Sequence, residues 1–239
     1  MEKLDFLAFA AHPDDAEISA GGTIAKMIAQ GKKGGIIDLT GGELGSRGSV
    51  VLREKEAAQA SAVLGLNARE NLGLKDGFFE RNEDALLRII TAVRKYQPDI
   101  VLCNSVRDRH PDHGRAGALV AEACFLAGLR KIRTAVGEVE QIHWRPGAIY
   151  HYIQDYHIEP DLVVDVTNFF DIKMASISAY SSQFFDPKSD EPETPISGAD
   201  FFEFLKARAM NMGRPAGFKL AEGFTVNRYI GVDSLFDLK

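Results

Sequence analysis

The chain has 239 residues, 45% hydrophobic and 26% charged, which supplies enough apolar side chain for a sizeable core in one globular domain. The formal net charge is −6, and Lys and Arg are interspersed with Asp and Glu, so no basic stripe tracks phosphates and nucleic acid is not an expected partner. No apolar run approaches the roughly 18–20 residues of a membrane span, and the start of the chain lacks a basic-then-apolar leader; the expected location is the cytoplasm, away from membranes.

Short β-rich runs alternate with helical patterns through the first half, the signature of βαβ units and a parallel sheet. Residues 4–11 are almost wholly apolar, which predicts a strand buried on both faces. A helix follows to Gly31, then a strand over "GGIIDLT" (34–40) that ends in the glycine-rich loop "GGELGSRGS". A helix to about Gly65, a strand at "ENLGL" and a helix over "NEDALLRIITAVRKYQ" come next. The fourth strand is "PDIVLCNS"; its tip "VRDRHPDHGRAG" reads as a loop before the helix "ALVAEACFLAG". Cys103 and Cys124 fall inside these last apolar runs, as two reduced core thiols would. Beyond residue 130 the pattern loosens. "GAIYHYIQDYH" and "PDLVVDV" suggest two strands, "NFFDIKMASISAYSSQF" a helix, "FDPKSDEPETPISGAD" a surface loop and "FFEFLKARAMNMG" a last helix. The expectation is a single α/β domain over residues 1–239, with a Rossmann-like, doubly wound, mostly parallel sheet, helices on both faces and an irregular C-terminal third.

Three βα units followed by a reversal give the strand order 3-2-1-4, with the ligand crevice between the tips of strands one and four. One tip carries His12, Asp14 and Asp15, and the other carries His110, Asp112 and His113. His12 and Asp15 are three residues apart, as are His110 and His113, so a tight turn turns each pair to one side. Catalytic zinc takes three N or O ligands and leaves a position open, a demand that His12, Asp15 and His113 meet. Asp14 is then placed to act as a general base, and His110, oriented and charged by Asp112, to stabilise an oxyanion. Taken singly, "HPDD" is an ordinary helix cap, its carboxylates facing backbone N–H groups. Its pairing with "HPDH" at the neighbouring strand, and the repulsion between two adjacent carboxylates, favour a dication.

"AHPDDAE", "RHPDH", "TGGELGSRG" and "LREKEAAQAS" together resemble the PIG-L/LmbE family of zinc-dependent N-acetylglucosaminide deacetylases. Within it, "DLTGGELGSRGS", "DRHPDH", "AYSSQF" and the late "AEGF" are similar to the bacillithiol-biosynthesis branch. The resemblance implies the same ligands His12, Asp15 and His113, the base Asp14, and His110 with Asp112. It also implies Arg53 as a substrate contact, where a solvated helix-face arginine is the alternative. Asp76, in "GLKDG", is a candidate partner for sugar hydroxyls or a turn-stabilising aspartate, and Glu43, Arg47 and Gln183 are weaker candidates. The branch implies N-acetylglucosaminyl malate as substrate, whose carboxylates want cations such as Arg53, Arg107, Arg109 or Arg115. It further implies one zinc per chain, other divalent metals being acceptable to the same donors, and a homo-oligomer, a trimer or hexamer. Competing readings are a deacetylase of chito-oligosaccharides or lipid-linked sugars, a thiol-conjugate amidase, and a metal- or nucleotide-binding module. The last is disfavoured because no G-x-G-x-x-G or P-loop lysine follows the first strand.

Overall fold

All five residues of β1 (Phe6–Ala10) are buried, and their alternation feeds both sides of the sheet. Leu7 and Phe9 join a core shared with α3 (Glu83–Tyr96) and α4 (Pro111–Ala127), while Phe6, Ala8 and Ala10 join another shared with α1 (Asp15–Ala29). The computed structural model describes residues 3–184 and 190–238. β2 (Gly34–Thr40) and β3 (Ala68–Leu74) run parallel to β1 on one side, and β4 (Ile100–Cys103) lies parallel to it on the other. The order β3-β2-β1-β4 is the one expected for a doubly wound sheet. α2 (Val50–Leu64) closes with Gly65 in the left-handed region, as a glycine C-cap should.

Beyond β4 the sheet continues through β7 (Ala148–Tyr152), β9 (Ala221–Thr225) and β8 (Leu162–Asp165); β5 (Ala135–Val136) and β6 (Val139–Glu140) form a separate small hairpin. β9 has no counterpart among the expected strands. It inserts antiparallel between β7 and β8, so the two strands expected after residue 146 are both present but are not neighbours. Its five residues, "AEGFT", carry a buried charge and a glycine, which mask the β signal.

Two other boundaries differ from expectation. α4 begins at Pro111, so "HPDHGRAG" is the first two turns of a helix rather than a loop: Pro111 occupies the first turn, where its missing N–H costs nothing, and His110 Nδ1 accepts the Asp112 N–H at 3.3 Å as the N-cap. α5 (Phe170–Ser178) stops short of residue 184, and α6 (Phe201–Gly213) matches the expected last helix. In the expected loop after residue 184, residues 190–200 form no helix or strand, and residues 185–189 lie outside the described residues. Cys103 and Cys124 are buried free thiols. Among the described residues no helix is long and apolar enough to cross a membrane.

The C-terminal third is fastened to α1 by a buried ion pair. Glu222 on β9 accepts Lys173 Nζ at 2.6 Å and the N–H groups of Gly22 and Thr23 at 3.0 and 2.7 Å. A Cβ on Gly22 would come within 2.8 Å of Val166, so only glycine permits this approach. Removing one member strands the other charge in the interior. Lys173→Met is therefore expected to lower unfolding free energy in urea by about 3–5 kcal/mol, and Glu222→Gln on top of it to recover part of that loss.

Candidate active site

β1 and β4 end side by side, and a cleft of about 310 Å³ opens over their carboxyl ends. His12, Asp14, Asp15, His110 and His113 line its floor, Arg53 and Gln183 one wall, and Phe201, Leu205 and Arg208 of α6 another. The imidazoles converge: the ring centroids of His12 and His110 are 4.7 Å apart and those of His110 and His113 5.1 Å.

Asp15 stands at the centre. Its Oδ1 faces His113 Nε2 at 3.1 Å and its Oδ2 faces His12 Nδ1 at 3.6 Å. The remaining lone pairs are filled by amides, from Asn104 Nδ2 at 3.0 Å, Gln154 Nε2 at 3.1 Å and the His12 backbone N–H at 3.0 Å. Asn104 is clamped in turn by accepting the Ala11 N–H at 2.9 Å. Burial pushes the Asp15 carboxyl up, yet His113 and His12 outweigh it and hold Asp15 well below the usual carboxylate range.

Each of these two histidines has a carboxylate on the nitrogen turned away from Asp15. His113 Nδ1 meets Asp108 at 2.5 Å; His12 Nε2 meets Asp76 at 2.9 Å, with Asp112 at 3.4 Å. This is the arrangement in which outer carboxylates fix ring orientation and raise ligand basicity in histidine metal sites. Burial opposes charge on His113, but Asp15 and Asp108 lift it to about 9; His12 is likewise held well above its usual value against burial by Asp112, Asp15 and Asp76. Four carboxylates thus surround two imidazoles, an excess of negative charge that a dication would relieve. Two sets of donors gather within 4.8 Å, His12 with His110 and His113, and His12 with Asp76 and Asp112; Asp15, expected as a ligand, faces both His12 and His113 but belongs to neither set.

Asp14 is left outside this web. Its backbone has φ 113°, a region that costs a non-glycine residue of the order of 1–3 kcal/mol. It makes no cap bond to α1, and Oδ2 is buried without a hydrogen-bond partner. The nearest cation is Arg53, whose Nη2 lies 3.5 Å away. Burial, opposed by Arg53 and reinforced by Asp15, lifts the Asp14 carboxyl to about 7. Arg53 is itself oriented by Gln183 Oε1, and Gly42, with φ 65°, leaves the space it occupies: a Cβ there would sit 1.9 Å from Nη1. Beneath this turn Arg69 and the Tyr180 hydroxyl donate to Glu17 Oε1 at 2.6 and 2.8 Å, which anchors the start of α1.

Two expected pairings are not formed. Asp112 does not orient His110 through its carboxylate; it is fully buried behind His12 and bonds the Gly77 N–H at 2.8 Å and Arg115 at 2.6 Å, and only its backbone N–H reaches His110. Because His110 Nδ1 accepts that N–H, the neutral ring carries its proton on Nε2; burial, with His12 and His113 nearby, holds it below its usual range. Asp76 spends both oxygens on His12 and the Leu44 N–H, so it is a ring-orienting group rather than a free partner for hydroxyls. Glu43 braces Asp76 by accepting its N–H at 2.7 Å, and Arg47 ties Ser182, Phe184 and Pro192 carbonyls together. Of the four rim arginines, Arg53 and Arg109 line the cleft, whereas Arg115 is held by Asp112 and Arg107 stacks over Tyr156. Asn104, Asp108 and Gln154 join the site without being expected from the sequence; of these only Asp108, two residues before His110, carries a local signal.

The family model described as PIG-L, GlcNAc-PI de-N-acetylase, matches residues 7–124, a span that contains both polar tips. A solved structure of a conserved protein from Thermus thermophilus is 36% identical, covers 96% of this chain and 98% of its own, and superposes with a TM-score of 0.84. The chain belongs to the PIG-L family. Among curated relatives, a diacetylchitobiose deacetylase of Thermococcus kodakarensis is 27% identical over 89% of this chain and 79% of its own. A 4-oxalmesaconate hydratase of Pseudomonas putida is 28% identical over 74% and 73%, and a probable N-acetyl-alpha-D-glucosaminyl L-malate deacetylase 2 of Bacillus cereus 26% over 72% and 80%.

In this PIG-L protein the outer carboxylates should govern metal retention. Asp108→Asn is expected to weaken divalent-cation binding at the His113 side of the cluster about 10–100-fold in competition with a chromogenic chelator, with the fold intact by circular dichroism.

Proposed function

We propose that the protein is a zinc-dependent hydrolase that removes the N-acetyl group from an N-acetylglucosamine conjugate, with N-acetylglucosaminyl malate as the favoured substrate. The observation that carries the reading is the Asp14 carboxylate, buried, with Oδ2 lacking a hydrogen bond and only the Arg53 guanidinium at 3.5 Å for an ion pair, held by strained backbone beside a histidine–carboxylate cluster at the floor of an open cleft. A structural role would not leave such a group unsatisfied. The diacetylchitobiose and malate deacetylase relatives support the choice of an acetylated amino sugar.

His12, Asp15 and His113 would hold the zinc, which when bound supplies Lewis-acid polarisation of the amide carbonyl and acidifies water near neutral pH. Asp14, lifted to about 7 by burial, accepts the proton of the attacking water and is matched in basicity to that task. His110 donates from Nε2 to the oxyanion of the tetrahedral adduct. Asp14 then returns its proton to the departing nitrogen, and acetate and a free 2-amino sugar result. Arg53 keeps Asp14 ionised until the proton arrives and presents a guanidinium edge to the sugar.

Asp14→Ala is expected to retain about one zinc per chain by elemental analysis and to lose acetate release by about 10²–10⁴-fold; survival of activity would remove Asp14 from the reaction. A second expectation ranks substrates. N-acetylglucosaminyl malate should be deacetylated with a higher kcat/KM than diacetylchitobiose or free N-acetylglucosamine, and preference for chitobiose would overturn the malate assignment. The Pseudomonas putida relative favours one other reading, in which Asp14 delivers water to a C=C bond. Incubation with 4-oxalmesaconate, followed by loss of its conjugated ultraviolet absorbance, tests it directly; turnover of that acid without acetate release from any amino sugar would replace the deacetylase reading.

A further inference from the structure

α6 supplies the far wall of the cleft, and its Arg208 has no role in the chemistry above. The side chain is half-buried, lines the cleft, and also lines a second, much smaller cavity of about 10 Å³ behind it. Three carboxylates lie within electrostatic range, Asp155, Asp108 and Glu222. Each is already neutralised elsewhere: Asp155 by Arg109 at 2.6 Å, Asp108 by His113 at 2.5 Å and Glu222 by Lys173 at 2.6 Å. Arg208 forms no ion pair or hydrogen bond among the described residues; its guanidinium instead faces the ring of Phe204, 5.6 Å from the ring centre. Ser19, 3% exposed, lines both cavities with its hydroxyl unpartnered. A five-donor guanidinium, partly desolvated and left without an anion on the wall of a binding cleft, is a receptor for one.

We propose that Arg208 is a specificity-determining residue that pairs with an anionic group on the aglycone of the substrate. In a 2-acetamido sugar the glycosidic carbon is next to the carbon that bears the amide, so an acetyl group placed over His12, Asp15 and His113 keeps the aglycone inside the same cleft. Arg208 lies on the Asp108 and Asp155 side of that cleft, and Arg109, bound to Asp155, is not free to do the same work. Phe201, Phe204 and Leu205 give the wall an apolar body, which strengthens a charge pair formed against it. The class selected is an N-acetylglucosaminide carrying a carboxylate or phosphate, and a neutral sugar chain forgoes the contact. The inference rests on the amino-sugar reading for the identity of its ligands, but not on the chemistry of Asp14.

The test uses zinc-loaded wild type, Arg208→Gln and Arg208→Lys, and free-amine glycosides that carry no acetyl group to hydrolyse: glucosaminyl malate, glucosamine 1-phosphate and methyl glucosaminide. Calorimetric Kd values should show wild type favouring at least one anionic glycoside over the methyl glycoside by about tenfold or more. Arg208→Gln should erase that preference while changing the methyl glycoside by no more than about twofold, and Arg208→Lys should restore part of it. With the N-acetylated forms the loss should fall on KM rather than kcat. Equal binding of all three glycosides by wild type, or equal weakening of all three in Arg208→Gln, overturns the proposal. An Arg208-dependent preference without acetate release from any substrate leaves Arg208 as the anion receptor and overturns the deacetylase reading instead.

Discussion

Two adjacent carboxylates at the end of a buried strand repel each other, and the positive φ of Asp14 is the device that separates them. The turn sends Asp15 into a shell of two imidazoles, two amides and a backbone N–H, where its charge is more than satisfied. It sends Asp14 to a place where only Arg53 faces it, at a distance that moderates its charge without quenching it. An ordinary helix cap would have satisfied both carboxylates locally and left neither for chemistry. The strain and the unpaired oxygen together cost several kcal/mol, and they persist because β1 on one side and α1 on the other are too deeply packed to relax.

The separation depends on topology as much as on the turn. Asp15 is held from just beyond β1 by the His12 N–H, from the end of β4 by Asn104, and from just beyond β7 by Gln154, so the ends of three adjacent strands of the sheet fix a single carboxylate. The outer carboxylates come from still other segments: Asp76 follows β3, Asp108 follows β4, and Asp112 lies on the first turn of α4. Gly117 makes the last of these possible, since a Cβ at that point would stand 2.7 Å from the Asn104 carbonyl and force α4 off the tip of β4. The centre therefore exists only in the fully folded sheet, and no short segment of the chain could build it.

That dependence explains what the sequence disclosed. The order of the first four strands was legible because each βα unit obeys local periodicity and handedness rules, and the six residues of "HPDD" and "HPDH" that mattered could be placed at one crevice from the order alone. The partnerships among them were not legible. Spacing suggested that Asp112 serves its near neighbour His110, whereas helix α4 starts there and turns the Asp112 carboxylate inward toward His12, a residue one hundred positions earlier. Asp76 was expected either to face sugar hydroxyls or to stabilise its turn, and the fold gives it His12 instead. Asn104 and Gln154 carry no motif at all; neutral amides become part of the site only because β1, β4 and β7 end in a row. β9 escaped notice for a related reason, as its Glu222 makes sense in a strand only once Lys173 and the two α1 amides are brought around it.

The same contrast divides the molecule by task. The residues that would hold a metal and move a proton belong to the regular part of the sheet, where every partner is itself buried and fixed. The opposite wall belongs to the irregular C-terminal third, where α6 packs on α2 and α5 side chains through Phe201 and Leu205 and is tied to α1 by way of β9 and the Lys173–Glu222 pair. Substitutions on the outward-facing turn of α6 alter the shape and charge of the cleft without touching the shell around Asp15. Selectivity can therefore change independently of the reactive centre, because the wall and the floor are held by different parts of the fold.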